Sequence, residues 1–249
     1  FDFGNSMSAD ARPVLDKILE RLPLTVSMNV ISLVLTLIIA IPVGILSACK
    51  RNSLLDRSVT VLVFLGFAMP SFWLALLLMM FFGIDLQWLP ISGLTSMDYA
   101  SLSPWGKLCD LARHLALPIL VYTIGGLAGM SRYMRACMLE VLRQDYILTA
   151  KAKGLPPSLI IRRHALRNAL LPVITVLIGW FISIFSGSLI IEQMFALNGM
   201  GQLYYQGLMN NDFELALAIQ MFYVLIALVG QLITDLSYGI VDPRVRVNK

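Results

Sequence analysis

Five stretches of the chain, 22–49, 58–84, 115–131, 169–191 and 215–234, contain no charged residue. Each approaches or exceeds the roughly 20 apolar residues that carry an α-helix across about 30 Å of hydrocarbon. The stretch 115–131 is the shortest and contains Gly125, Gly126 and Gly129. It is expected to borrow length at its ends, with Arg132 and Arg135 snorkelling toward lipid headgroups. A closed barrel would instead show alternating segments of about ten residues, so the pattern predicts an all-α polytopic membrane protein with five spans in this chain.

Ahead of the first span, residues 13–22 read as an amphipathic lead-in helix. Val14, Leu15, Ile18, Leu19 and Leu22 share one face, while Asp16, Lys17, Glu20 and Arg21 occupy the other. Such a helix would lie along the outer membrane surface until Pro23 turns the chain inward, or stand solvated against an external segment. Pro42, Pro70, Pro118 and Pro172 are expected to kink or end their helices. This reading divides the chain into a lead-in at 1–21, a transmembrane domain at 22–235 and a tail at 236–249.

Charge sets the orientation. Of the nineteen basic residues, fourteen lie between the first and second spans, between the third and fourth, and in the tail that includes Arg244, Arg246 and Lys249. The positive-inside rule makes those segments cytoplasmic. The first residue would then lie outside; because it is Phe1, an upstream span is expected in the parent protein, giving six. Hydrophobic residues make up 58% of the chain and charged ones 14%, and the mean hydropathy is +0.78. The formal charge of +4 follows from loop topology and does not call for nucleic acid. Cys49 and Cys137 fall on the cytoplasmic side and Cys109 outside, so neither a disulfide framework nor a metal spacing is implied.

Between the spans, Trp88 and Trp105 in the outer loop 85–113 fit a headgroup belt. The outer loop 192–214 lacks basic residues, and its Gly199 and Gly201 imply a folded-back segment. Glu192, Asn198, Asn210 and Asp212 are its candidate contacts with an external partner. Gly179, Ser183 and Gly187, four apart, would share a face of the fourth span, for packing or for lining a pathway. Gln220 and Gln231 in the last span would serve interhelical hydrogen bonding or solute contact. Between 132 and 172 the composition is that of folded helices: residues 146–153 favour helix, Gly154 offers a left-handed stop, and Leu155-Pro156-Pro157 forces a turn. A helical hairpin on the cytoplasmic side results.

Enzyme chemistry finds little support. The histidines are His114 and His164, far apart and outside any His-Glu-x-x-His pattern, and no span holds an acid or a histidine. Gly106-Lys107 lacks the spacing of a phosphate-binding loop. A proton-coupled carrier would bury ionisable side chains within its spans, and the runs contain none.

The hairpin resembles the cytoplasmic loop of ABC importer permeases, whose pattern is Glu-Ala-Ala, three residues, then Gly. Leu148, Thr149, Ala150 and Gly154 occupy those positions, with Leu and Thr replacing Glu and the first Ala. DYILTAKAKGL followed by RRHALRNALLP is similar to the variant found in the dipeptide, oligopeptide and nickel branch, in its first, B-type permease. The likeness extends to Asp2-Phe3-Gly4, Leu55-Asp56-Arg57, Met69-Pro70-Ser71-Phe72-Trp73, Gly199-Met200-Gly201 and the ending Val241-Asp242-Pro243-Arg244. Asn198 stands where proline is more usual and Asn211 where arginine is common.

The resemblance implies a type I ABC importer transmembrane fold in the cytoplasmic membrane of a prokaryote, carrying peptides, or nickel and other small solutes, by alternating access. It implies no cofactor in this chain and MgATP on two partner ATPase subunits. The other partners would be a homologous second permease and an extracytoplasmic solute-binding protein. Asp145, Tyr146, Leu148, Thr149, Ala150, Lys151, Gly154 and Leu155 would form the ATPase-coupling loop.

Overall fold

The computed structural model describes residues 3–8 and 10–241, with side chains through Leu236. Asp2 and the ending from Asp242, with the basic residues of the tail, lie outside the described residues. Among the described residues ten α-helices follow in order: α1 Val14–Cys49, α2 Leu54–Ala68, α3 Ser71–Leu78, α4 Pro104–Val141, α5 Asp145–Ala152, α6 Pro157–Leu159, α7 Leu166–Trp180, α8 Leu189–Met194, α9 Met200–Met209 and α10 Phe213–Val241. Wider π-type turns extend α3 over Met79–Asp85 and join α6 to α7 over Ile160–Ala165. Among the described residues four helical segments are long and apolar enough to cross a membrane, and α2 with the α3 segment makes a fifth if the two form one broken span.

The expected lead-in helix is not separate. α1 runs unbroken for 36 residues through both Pro23 and Pro42, about 54 Å at the α-helical rise. A proline inside a helix deletes one hydrogen bond and crowds the preceding turn, and here the segment ahead of Pro23 is packed on protein. Val14 and Ile18 are wholly buried, with Leu22 beside them, against Met200 and Leu203 of α9 and Leu215, Ala218 and Ile219 of α10. Leu15 and Leu19 point away and stay exposed. The apolar face therefore packs mainly on protein, and no structural boundary falls between residues 21 and 22.

Pro118 and Pro172 likewise sit inside continuous helices, whereas Pro70 breaks its run. α2 stops at Ala68 and α3 begins after Pro70, whose ψ of 137° is extended; the ring also disfavours helix at the preceding residue. The fourth apolar run ends its α-helix at Trp180, passes through a 3-10 turn at Ile182–Phe185, and supplies α8 from its tail.

The chain forms two compact units, Phe1–Ser32, Met69–Thr123 and Ile182–Val229 in the first, and Leu33–Ala68, Ile124–Phe181 and Gly230–Lys249 in the second. The first is built on the α1, α9 and α10 core just described. The core of the second joins Ala40 and Ala48 of α1, Met130, Met134, Cys137 and Met138 of α4, Ile147 and Ala150 of α5, and Ala169 and Val173 of α7.

Candidate functional site

The hairpin after α4 is defined from its backbone upward. Gln144, extended at ψ 149°, precedes α5, and Asp145 in the first turn with Lys151 in the last complements the helix dipole. Gly154 takes φ +74° and its N–H donates to the Lys151 carbonyl at 2.9 Å, while the Leu155 N–H donates to the Ala150 carbonyl at 3.3 Å. This pair of bonds is the Schellman closure, which needs a residue tolerant of positive φ after the cap. Leu155 then packs back on the same core, and Pro157 opens the returning helix at its first position.

α5 has two faces. Ile147 and Ala150 are buried in the second unit's core, while Tyr146, Leu148, Thr149 and Lys151 are exposed. The close approach that Ala150 permits is thus to its own chain. Asn168 of α7 donates to the Tyr146 hydroxyl at 2.8 Å, steadying that ring. The result is a short helix fixed from behind, presenting an apolar and aromatic edge.

Arg132 and Arg135, expected to snorkel, have protein partners. The Arg132 guanidinium lies 5.2 Å and 4.8 Å from the Phe64 and Phe67 ring centres on α2. Arg135 grips Asp56 with a two-pronged contact, Nε to Oδ1 at 2.9 Å and a terminal nitrogen to Oδ2 at 2.8 Å. Ser47 also donates to Asp56 Oδ1, and the Asn52 N–H to Oδ2 at 2.9 Å. Sequence reasoning missed this pair; its one visible signal was an acid at 56, beside a membrane run, with no other evident use.

In the first unit, Glu192 and Asp212 face inward, not toward an external partner. Glu192 is wholly buried and caps α9 from within: its carboxylate accepts from the Gln202 N–H at 2.9 Å and from the Thr25 hydroxyl at 3.1 Å. Thr25 in turn accepts from the Met200 N–H at 2.9 Å. Burial pushes the Glu192 carboxyl above its usual range, against the pull of these donors. Asp212 accepts from the Leu215 N–H at the start of α10 and from Ser6 and the Met7 N–H. Burial raises its carboxyl, but the converging donors outweigh it and hold the group below the usual range. Asn198 and Asn210 are exposed.

Gly179, Ser183 and Gly187 do not share a helical face, because the α-helix ends at Trp180. The surroundings of Gly179 are open, whereas a Cβ on Gly187 would strike the Gly201 backbone and the Glu192 carboxylate. Gly187 therefore serves the contact of its turn with α9. Gln220 is exposed on α10.

Residues 40–247 match the family described as binding-protein-dependent transport system inner membrane component. The oligopeptide transport system permease protein AppB of Bacillus subtilis (strain 168) is 38% identical over 98% of this chain and 76% of its own length. The dipeptide transport system permease protein DppB of the same strain is 36% identical over 100% and 76%. Among solved structures, an inward-facing MetNI methionine ABC transporter aligns with a TM-score of 0.72 and 20% identity over 95% of this chain and 100% of that one. An amino acid ABC transporter with histidines aligns at 0.63 and 14% identity, over 89% and 92%. These likenesses establish the type I ABC importer transmembrane fold. With helices that suit a bilayer and a match across most of its length, the chain belongs to the binding-protein-dependent transport system inner membrane component family and is a multi-pass permease subunit of an ABC importer.

Proposed function

We propose that this permease carries peptides across the cytoplasmic membrane, driven by ATPase subunits on other chains that dock on α5. The observation that carries the docking is the form of α5: anchored by Ile147 and Ala150, closed at Gly154, and exposing Tyr146, Leu148 and Thr149. The peptide substrate is supported by the names of the relatives at 36–38% identity, which are oligopeptide and dipeptide permeases. A homologous second permease completes the pore, and a solute-binding protein delivers the peptide outside, where the exposed Asn198 and Asn210 are the contacts retained from the outer loop. MgATP binds the partner ATPases. Ser183 and Gln220, both exposed, and Gly179 are the pathway candidates; Gly187 is assigned to packing.

The test is uptake of labelled trialanine by cells lacking this chain and complemented with it or with Tyr146→Asp/Leu148→Asp. Complementation restores uptake. The double variant inserts in the membrane but loses the co-purifying ATPase, because two charges now face an apolar contact. Full uptake and ATPase retention by the variant would remove α5 as the docking element, and no uptake with the native chain would remove the peptide.

A further inference from the structure

Within the second unit, α1 and the inner half of α4 run side by side at backbone distance. A Cβ on Gly44 would come within 2.7 Å of the Ser131 carbonyl oxygen and 2.8 Å of Met134 Cβ, and one on Gly126 within 3.1 Å of Thr36. Where this seam ends, at Ser47 and Arg135, apolar packing gives way to the Asp56 pair. The Asp56 side chain is 5% exposed and that of Arg135 30%. Four segments converge there: Ser47 of α1, the Asn52 N–H of the following turn, Asp56 of α2 and Arg135 of α4.

A buried ion pair is a poor device for stability alone, since well-packed apolar groups of the same volume serve as well or better. What a two-pronged guanidinium–carboxylate contact adds is a fixed register. Arg135 lies about 9 Å along the axis from the end of α4, at the α-helical rise, and α5 follows with Ile147 and Ala150 in the same buried core as Met134 and Met138. A push on α5 is therefore delivered to the inner end of α4.

We infer that the Asp56–Arg135 pair is a positioning element for coupled transport: it locks α4 to α1 and α2, so that displacement of α5 moves three helices together. The inference rests on the proposed docking of ATPase subunits at α5. Without the pair, α4 slides against its neighbours, and part of each stroke is lost before it reaches the α1 and α2 segments of this unit.

The test uses the intact importer in proteoliposomes and reads trialanine taken up per ATP hydrolysed, normalised to assembled complex. Asp56→Asn and Arg135→Gln each lower this ratio at least about threefold, and the double variant is no worse than either single, as for coupled partners. A purely structural role would reduce the amount of complex and leave the ratio intact; that result, or additive losses in the double variant, overturns the inference. If those variants do not assemble, Arg135→Lys keeps the charge but loses the fork, and the ratio must still fall. An unchanged ratio with Lys overturns the inference. The Tyr146→Asp/Leu148→Asp complex separates the failures: if it transports normally, the docking reading falls and takes this inference with it. If it fails while the Asp56→Asn ratio is unchanged, the inference alone is wrong.

Discussion

Gly154 combines φ +74° with open space around the position a Cβ would take, so a substitution there meets backbone strain and no clash. A β-branched residue in that conformation costs about 1–3 kcal/mol, while asparagine tolerates it. Gly154→Val is expected to lower trialanine uptake and its coupling to ATP hydrolysis, and Gly154→Asn to retain most of both. Equal behaviour of the two variants in reconstituted vesicles would count against the Schellman closure as the reason for glycine. Asp212 gives a pH-dependent counterpart. Its carboxyl titrates below the usual range in the folded protein, so its contribution is complete above the ordinary carboxylate value and is lost as pH falls through the lowered one. Amide exchange at Met7, whose N–H donates to Asp212, should lose its protection only in that acidic window. In Asp212→Ala it should be fast at every pH, with a loss of about 1 kcal/mol for the cap of α10. Glu192 has the opposite sign: its raised carboxyl favours the fold in the protonated form and does so less as pH rises.

At the scale of elements, contact distance decides what each glycine does. Gly44 meets a carbonyl oxygen and a Cβ, groups that cannot rotate away, whereas Gly125 and Gly129 on α4 have nothing within 4 Å. Gly44→Ala is therefore expected to destabilise the α1–α4 seam by about 1–3 kcal/mol. Gly125→Ala and Gly129→Ala are expected to be neutral or to stabilise by up to about 1 kcal/mol through helix propensity. Thermal unfolding of the purified protein in detergent orders the three variants, and a Gly44→Ala protein as stable as the native one would contradict the seam. The same contrast explains the fourth apolar run. Four-residue spacing suggested one stripe of small residues, but the α-helix ends at Trp180, and Gly187 is small for the sake of Gly201.

For the whole molecule, the distribution of basic residues predicts an outer N-terminal side, and the exposure of the cysteines selects a sharper test. Cys49 and Cys109 are exposed and Cys137 is buried. An impermeant thiol reagent should label a variant retaining only Cys109 in intact cells, and one retaining only Cys49 after permeabilisation. A Cys137-only variant should stay silent until denatured, on either side of the membrane. Labelling of Cys49 alone in intact cells would invert the topology. What the sequence determined by itself was whatever one segment decides alone: which runs suit lipid, where basic residues gather, the stop at Gly154 and the hairpin it closes. Solvent transfer and local backbone preference act over a few turns and leave their mark in composition and spacing. Tertiary structure decided whatever depended on a distant partner. The core of α9 and α10 buried the apolar face of α1 ahead of Pro23, and Glu192 and Asp212 turned inward to donors far along the chain, the Thr25 hydroxyl for one and the Ser6 hydroxyl for the other. Arg135 pairs with Asp56, 79 positions away, since a buried charge is satisfied by its neighbour in space, which no spacing along the chain displays.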